Sequence, residues 1–507
     1  VRRLKTEEKV RKNDDDDDDK EKQRVVILGS GWGAHAMMKV IDAQQFDVTV
    51  VSPTNHFAFT PMLPGAAVGT VEYRSMTESV RRSNPLVEYV EARAVDVDPA
   101  GQRVEVELAP LVSFRGDQRV KAEKKRSWIP YDRLVVACGV RVNDEIVPGA
   151  AEHCYRLKEC DDAVKLRRAV GSRFETAARM IGKDGLDKER RRQLLTFVVV
   201  GGGPTGVELA GELSDYLRDV CRNFPKLDPS EPRIVLIHAG QELLQQFEPP
   251  QRKECLRVMD ELGVEVELGT RVDRVDADHL TLRRPKGDKG EKVEDLPYGV
   301  AVWCAGTAPQ PFMETFLSRL PAAAAAGRFV AVDDWLRVRL DYDDDDKKGH
   351  GEKIARGSIL ALGDCARMAS KETDLLPQTA QVAAQQGAYA ARFLNRNYDA
   401  STPPLARDDL YDDRFFEKFY LYEIRKARVA PTFNFLNLGI LAYLGAGKAL
   451  AEVKFGDNVP LGAYIGSAGY LLWKSVYLTK QVATRNRVLV TFDWLKAALF
   501  GRDITRL

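Results

Sequence analysis

Two glycine-rich segments hold the residues best suited to do chemistry. In VVILGSGWGA, Gly29, Gly31 and Ala34 follow the G-x-G-x-x-A spacing, with Gly33 inside it. In FVVVGGGPTGVELAGEL, Gly201, Gly203 and Gly206 follow the full G-x-G-x-x-G spacing, with Thr205 inside it. In such a set the first glycine permits a tight turn and the second lets backbone approach a pyrophosphate. The third small residue lets a helix pack closely on a strand. The phosphates then lie at a helix N-terminus, where amides and the helix dipole favour negative charge. One such motif is weak evidence for a ligand. Two of them, each between a strand-like and a helix-like stretch, imply two dinucleotide sites, most simply one for a flavin and one for a nicotinamide.

The residues after each motif refine that reading. At the end of the strand FDVTVV, where an acid commonly binds a ribose, the chain has Ser52 and Pro53. Ribose contacts there must come from hydroxyl or backbone groups. At the matching point of the second motif, in LIHAG, stands His238. An acid at that position prefers an NADH ribose and repels a 2′-phosphate; histidine removes the repulsion and admits NADPH. Glu208 falls in the first turn of the second helix, where acids complement the dipole. It is expected to face the nicotinamide–flavin contact, and Glu212, one turn on, to be packed or solvated.

These residues need a particular set of elements around them. Arg24 to Val51 reads strand, glycine turn, helix, strand. LLTFVVV, a helix from Val207 to about Asn223 and RIVLI repeat the unit. Val87 to Val136 alternates short strand-like stretches, as does the segment after Val264. Three buried strand patterns end in small residues: at Ala137 and Gly139 in YDRLVVACG, at Ala305 and Gly306 in VAVWCAGTAP, and at Gly363 and Asp364 in GSILALGDCA. In two-dinucleotide flavoproteins such an aspartate holds the flavin ribityl chain, and the second strand end lies beside the nicotinamide. Leu376 to Leu394 reads as a helix with Gln381 and Gln385 four apart on one face. The fold class that results is α/β, with two Rossmann-like dinucleotide-binding domains (the two-dinucleotide-binding flavoprotein fold) and a C-terminal helical membrane-association region. Expected boundaries are an acidic arm at 1–23, a flavin domain at 24–165 and 331–407, a nicotinamide domain at 166–330, and the C-terminal region at 408–507.

Composition removes several alternatives. A chain of 507 residues needs more than one core. A net charge of +1 argues against a dedicated nucleic-acid binder. Seven cysteines without a C-x-x-C pair suit a reducing compartment. Arg2, Arg3 and Lys5 fit the tail of a removed targeting peptide as well as a solvated arm. The acidic runs Asp14–Asp19 and Asp343–Asp346 read as surface segments. The second, within the insertion 341–352, carries a partial calcium-loop pattern (Asp341, Asp343, Asp345, Glu352). Asp346 replaces the glycine that such a loop requires, so no metal is expected. No run of eighteen uncharged apolar residues occurs, hence no spanning helix. Pro460–Trp473 and Val488–Phe500 are apolar but short. Between Pro431 and Leu507, nine Lys/Arg stand against four Asp/Glu, a net of +5. Apolar helices with basic flanks suit a helix lying in anionic headgroups; a dimerisation helix is the alternative.

The ordered set GSGWGA, NHFAFTPMLPGAAVGTVE, YDRLVVACG, GGGPTGVELAGEL, WCAGTAP, ALGDCA and LPQTAQVAAQQG resembles the type II (alternative) NADH:quinone oxidoreductases. The tail SVYLTKQVATRNRVLVTFDWLKAALFGRDITR is similar to their eukaryotic and organellar members. The resemblance spans Val25 to the end, apart from the acidic insertion. It implies non-covalent FAD, an NAD(P)H donor, a quinone acceptor and no proton pumping. It also implies peripheral attachment to a lipid membrane surface, that of the mitochondrial inner membrane or alternatively of a plastid. A homodimer or association with a larger respiratory assembly is expected, and no nucleic acid. Gln381 and Gln385 would stand near flavin or quinone carbonyls, and Thr60 joins the cofactor-binding set. Hydride would pass to the flavin and two electrons on to quinone, the cofactor performing the hard step. Three rivals stay open at this level. A disulfide reductase needs a close cysteine pair, and none lies between Ser52 and Arg93. A sulfide:quinone oxidoreductase would have to use Cys160 and Cys365. A flavoprotein subunit with a purely structural role in a larger complex is the third.

Overall fold

The computed structural model describes residues 21–109, 113–115, 118–120, 125–180, 185–285, 291–340, 354, 357–368, 376–398, 400, 430–456 and 460–503. The N-terminal acidic run and the insertion at 341–352 with its calcium-like pattern lie outside them. Two compact units form. The first takes 1–55, 80–139 and 311–433; the second takes 56–79, 140–310 and 434–507.

In the first unit the strand Gln23–Leu28 lies between Phe46–Ser52 and Arg133–Val136, all parallel. Val26 pairs with Thr49 on one side and Leu134 on the other. Ile359–Ala361 extends the parallel sheet beyond Arg133–Val136, and Glu88–Asp98 beyond Phe46–Ser52. An antiparallel ribbon, Arg103–Leu108 and Arg126–Pro130, completes the order on that side. Val25, Val26, Ile27 and Leu28 are all buried. A parallel strand covered on both faces reads as a continuous apolar run for that reason. The helix Trp32–Val40 starts directly after the glycine turn and packs on Ala380–Asn395. The latter begins where Thr379 accepts a hydrogen bond from Val382 N at 3.3 Å, an N-cap that sets its first turn. The contact is tight: a Cβ on Gly387 would fall 2.0 Å from Gly33 O.

In the second unit Val264–Leu268, Arg233–His238, Thr196–Val200 and Val300–Trp303 form a parallel sheet in that order. The helix Pro204–Val220 follows the second glycine turn, and a 3-10 turn, Cys221–Asn223, ends it. An antiparallel ribbon, Arg271–Val275, His279–Pro285 and Glu291–Pro297, follows.

The C-terminal region corrects one expectation. It is not wholly helical: Gly439–Gly445, Lys448–Lys454 and Pro460–Gly466 form an antiparallel sheet before the helices Ser467–Thr479 and Thr484–Phe500. Its first hairpin closes through Gly445, Ala446 and Gly447, all at positive φ. That conformation is open to glycine and blocks helix continuation. Short apolar runs do not separate strand from helix by periodicity, so the turn glycines were the signal to heed. This sheet docks on Pro204–Val220, where a Cβ at Gly211 would lie 2.4 Å from Leu444 O. Among the described residues no helix is long and apolar enough to cross a membrane.

Gly387→Ala tests the tight helix pair of the first unit. The added methyl forces Trp32–Val40 and Ala380–Asn395 apart, at a cost of about 2 kcal/mol or more. The expected outcome is a lower melting temperature and faster amide exchange in both helices, measured by mass spectrometry.

Candidate cofactor and active site

Each unit holds one cradle at the C-terminal ends of its parallel strands. In the first unit Gly29, at φ +117, donates its N–H to Val51 O at 2.8 Å and passes so close to Ala137 that a Cβ would lie 2.4 Å from the Ala137 carbonyl oxygen. Gly31 is the opposite case: a Cβ there meets nothing within 4 Å. It precedes the helix Trp32–Val40, whose N-terminus has no side-chain cap. Gly139, also at positive φ, faces open space as well. Gly33 and Ala34 serve packing: Ala34 is fully buried, and a Cβ on Gly33 would strike Leu362.

Hydroxyls gather at the end of the second strand. Ser30 Oγ lies 3.0 Å from Ser52 Oγ and 2.9 Å from Thr54 Oγ1, while Tyr89 donates to Ser52 O at 2.9 Å. Pro53 is exposed beside them. Thr54 is a residue the sequence reading passed over, although a hydroxyl two places after Ser52 was visible. Across the sheet, the turn Gly363–Cys365 is held by two amides the sequence reading also missed. Gly363 N donates to Gln386 Oε1 at 2.7 Å, and Gln378 Nε2 donates to Asp364 O at 2.9 Å. Gln381 and Gln385 sit half-buried on the same helix. The neighbouring Gly387 marks the face that packs closely, and it is the clue to Gln386.

The second unit repeats the construction. Gly201, at φ +123, takes the tight turn and donates to Ile237 O at 2.8 Å; a Cβ there would lie 2.9 Å from Ala305 N. Gly203 faces open space at the uncapped start of Pro204–Val220, and a Cβ on Gly206 would lie 1.9 Å from Gly201 O. Thr205 is half-buried in the first helical turn, and Gly306, at positive φ, is exposed beside Ala305. Open backbone in front of an uncapped helix N-terminus, in both units, fits the diphosphate of a dinucleotide. His238 is tied into the same turn: Gly202 donates to its Nδ1 at 3.2 Å. Burial, the larger influence, holds its pKa below the ordinary histidine value, with the Glu242 backbone acting more weakly in the other direction. The ring is therefore neutral at physiological pH, with its proton on Nε2.

Glu208 does not lie among those turns. Its side chain is buried in a cavity walled by Pro61, Met62, Pro64, Gly65, Val71, Tyr443, Trp473 and Trp494, with Glu212 beside it. The space is about 10 Å³, room for one water. Tyr443 N donates to Glu208 Oε1 at 3.2 Å. Burial raises the Glu208 pKa to about 8, and the charge of Glu212 adds to it, while the Tyr443 amide pulls the other way. Glu212 is buried too, not solvated: it accepts from Thr70 Oγ1 at 2.8 Å and lies 3.5 Å from Arg502. Arg502 also meets Asp215 at 3.5 Å and pairs with Asp219. Tyr443 closes the group by donating to Asp215 at 2.7 Å. Thr60 opens the short 3-10 turn Thr60–Met62 of this unit, one residue before the cavity wall begins at Pro61.

Comparison with known proteins agrees with this architecture. Residues 23–387 match the pyridine nucleotide-disulphide oxidoreductase family, and residues 437–503 the NDH2 C-terminal domain. An external alternative NAD(P)H-ubiquinone oxidoreductase B1 of Solanum tuberosum mitochondria is 33% identical over 96% of this chain and 90% of its own. The chain belongs to the alternative (type II) NADH:quinone oxidoreductases. A mitochondrial external NADH-ubiquinone oxidoreductase 2 of Saccharomyces cerevisiae is 34% identical, over 94% of this chain and 81% of that protein. Among solved structures, NDH2 from Plasmodium falciparum in complex with NADH superposes with a TM-score of 0.77 at 22% identity, covering 96% of this chain and all of that one.

Two predictions follow from the cradles. Gly31→Leu fills space the protein leaves open, so the chain should fold with unchanged far-ultraviolet circular dichroism but purify colourless. Retention of full yellow absorbance would remove Gly31 from the site. For His238, the lowered pKa moves any gain in NADPH use below the ordinary histidine titration near pH 6.5. The NADPH:NADH ratio of kcat/KM should be flat from pH 8 to 6.5, and should fall several-fold in His238→Glu.

Proposed function

We infer that this chain is an FAD-dependent, non-proton-pumping oxidoreductase that carries electrons from NAD(P)H to a membrane quinone. The observation that carries the reading is the pair of open glycine cradles, one in each unit, in a chain of this family. The curated relatives named above act on NAD(P)H or NADH and ubiquinone, and their names place them in mitochondria. The mitochondrial inner membrane, approached peripherally, is the corresponding location for this chain.

The residues divide the work. Gly29, Gly31 and Gly139, with the hydroxyls of Ser30, Ser52 and Thr54, would hold FAD; the turn Gly363–Asp364, clamped by Gln378 and Gln386, would present its carboxylate to the same cofactor. Gly201, Gly203, Thr205, Gly206, His238, Ala305 and Gly306 would hold the nicotinamide dinucleotide. FAD, when bound, supplies the two-electron relay between a hydride donor and a quinone. Quinone reduction also consumes protons. Glu208, with its pKa at about 8, keeps a proton at neutral pH in an aromatic-walled cavity and is the proton source in this reading. Gln381 and Gln385 offer amides to flavin or quinone carbonyls.

The lipid surface is met by the last helix. Asn486, Val490 and Asp493 are buried at helical spacing; Asn486 donates to Ser75 O at 2.8 Å, and Asp493 accepts from Glu72 N at 2.9 Å. The other face turns Phe492, Leu495 and Leu499 outward, each more than half exposed, and Phe500 at 83%. Leu471 and Leu461 add to the exposed apolar surface of the same region. Arg485, Arg487 and Lys496 supply attraction to anionic headgroups, screened by salt. Arg502 does not contribute, being tied to Glu212, Asp215 and Asp219. Arg506 lies outside the described residues.

The function is tested by following oxidation of NADH and NADPH by the purified yellow protein, with and without a short-chain quinone. Quinone-dependent oxidation is expected; none with either donor removes the reading. Glu208→Gln should lower quinone reduction at pH 7 by about 100-fold, the scale of a lost general acid, with donor binding unchanged. The stability sign is fixed as well. A carboxyl whose folded pKa is raised stabilises fully below its unfolded value, near 4.5, and that contribution is lost as pH rises through about 8. Glu208→Gln should therefore flatten the pH dependence of stability between those values.

The combined variant Phe492→Glu, Leu495→Glu, Leu499→Glu should stop floating with anionic liposomes while keeping its flavin. Unchanged flotation together with a change from dimer to monomer in light scattering would assign this face to a second copy of the chain.

A further inference from the structure

Four acids lie on one face of the helix Pro204–Val220: Glu208, Glu212, Asp215 and Asp219, at steps of four, three and four residues. The row runs from a buried end to a wetter one. Glu208, Glu212 and Asp215 are 6%, 5% and 6% exposed, whereas the Asp219 side chain reaches 31%. Glu208 and Glu212 share the wall of the one-water cavity. Trp473 stands on that wall too, and its buried indole N–H meets no aligned acceptor among the described residues. Two carboxyls and one N–H make up the two to four polar partners that a buried water needs. Further along the row, the Thr70 hydroxyl donates to Glu212 and accepts from Arg502 Nε at 2.9 Å. Asp215 accepts from the Tyr443 hydroxyl and from Ala446 N at 3.0 Å. Arg502 reaches Glu212, Asp215 and Asp219, three of the four acids.

We propose that Asp219, Asp215 and Glu212 pass protons inward from solvent to Glu208, across one water held between the two glutamates. The proposal rests on Glu208 as the proton source inferred above. The proton count requires such a supply. NAD(P)H gives up two electrons and one proton as hydride, and a quinol takes up two protons, so each turnover draws one proton from solvent. The Glu208 O–H bond breaks as its proton leaves for a quinone oxygen. The water then gives a proton to the Glu208 carboxylate and takes one from the Glu212 carboxyl. Glu212 regains its proton from solvent through Asp215 and Asp219. One proton enters at Asp219, one leaves at Glu208, and the water is unchanged. Burial raises the pKa of Glu212 as it does that of Glu208, with Arg502 opposing, so the inner pair takes up protons readily. Arg502 keeps its charge throughout and carries no proton. It is a positioning residue that holds the outer carboxylates in line.

The test reads the Glu208 proton directly. Infrared difference spectra of the full-length yellow protein against Glu208→Gln assign the band of the protonated carboxyl, and its shift in D2O gives the exchange rate. Glu212→Gln should slow that exchange by about 100-fold, the scale of a lost proton carrier. Asp219→Asn should slow it several-fold, and Glu212→Asp should restore most of the native rate. In stopped flow with a short-chain quinone, the slowed variants should reoxidise their flavin more slowly while NADH bleaches it at the native rate. Formic acid, a small proton carrier, should speed that reoxidation in the variants and leave the native protein unchanged. Should Glu212→Gln fold poorly, Asp219→Asn and Trp473→Phe take its place, the latter removing the donor to the water and keeping the ring. Carboxyl exchange at the native rate in either Glu212→Gln or Asp219→Asn overturns the path, and slow quinone reduction in Glu208→Gln would then still leave Glu208 as the source. Native quinone reduction in Glu208→Gln removes the source and the path together.

Discussion

A Cβ on Gly206 would lie 1.9 Å from the carbonyl oxygen of Gly201, and one on Gly387 would lie 2.0 Å from that of Gly33. Backbone meeting backbone at such distances is the constraint on which both units rest. In the second unit it seats a helix directly on the turn whose amides it must share with a ligand. In the first it lets two helices approach so closely that Gln386 reaches Gly363 across a strand end. A side chain at any of these crossings displaces an element, and with it the cradle. The open positions, Gly31 and Gly203, have the reverse logic: no described residue comes within 4 Å of a Cβ there, which leaves room for a ligand.

The second constraint is charge out of water. Glu208, Glu212 and Asp215 are all buried on one helix, and like charges so placed cannot all ionise at low cost. Arg502 is held above its ordinary pKa by Glu212, Asp215 and Asp219, although burial opposes that, and it neutralises one part of the group. Thr70 and Tyr443 satisfy others, and Glu208 keeps its proton. Removing a single partner from such a network leaves an uncompensated charge, which is why the C-terminal segment is part of the unit and not an appendage. Holding the proton on Glu208 and fixing the C-terminal segment are here one piece of physics.

Much of this was legible in the chain. Parallel strands reveal themselves as continuous apolar runs because both faces are covered, and the glycine spacings are dictated by covalent geometry at the turn. Both cradles, the strand ends at Ala137, Ala305 and Gly363, and the helix through Gln381 therefore followed from local pattern. The type II family was readable from the order of those motifs. The hairpin at Gly445–Gly447 was not read, since seven-residue apolar runs satisfy strand and helix alike.

By itself, then, the sequence determined the two βαβ units, the open glycines and the absence of a spanning apolar run, all properties of neighbouring residues. Tertiary structure alone decided the environments. Glu208 is separated from Tyr443 by more than two hundred residues, yet its pKa depends on that amide and on the aromatic cavity around it. His238 differs from a solvent-exposed histidine because the fold half-buries it and brings the Gly202 N–H to its Nδ1. Arg502 reads as one more basic residue for a lipid surface until three carboxylates enclose it. Burial and pairing depend on what arrives from far along the chain, and only the folded protein sets those distances.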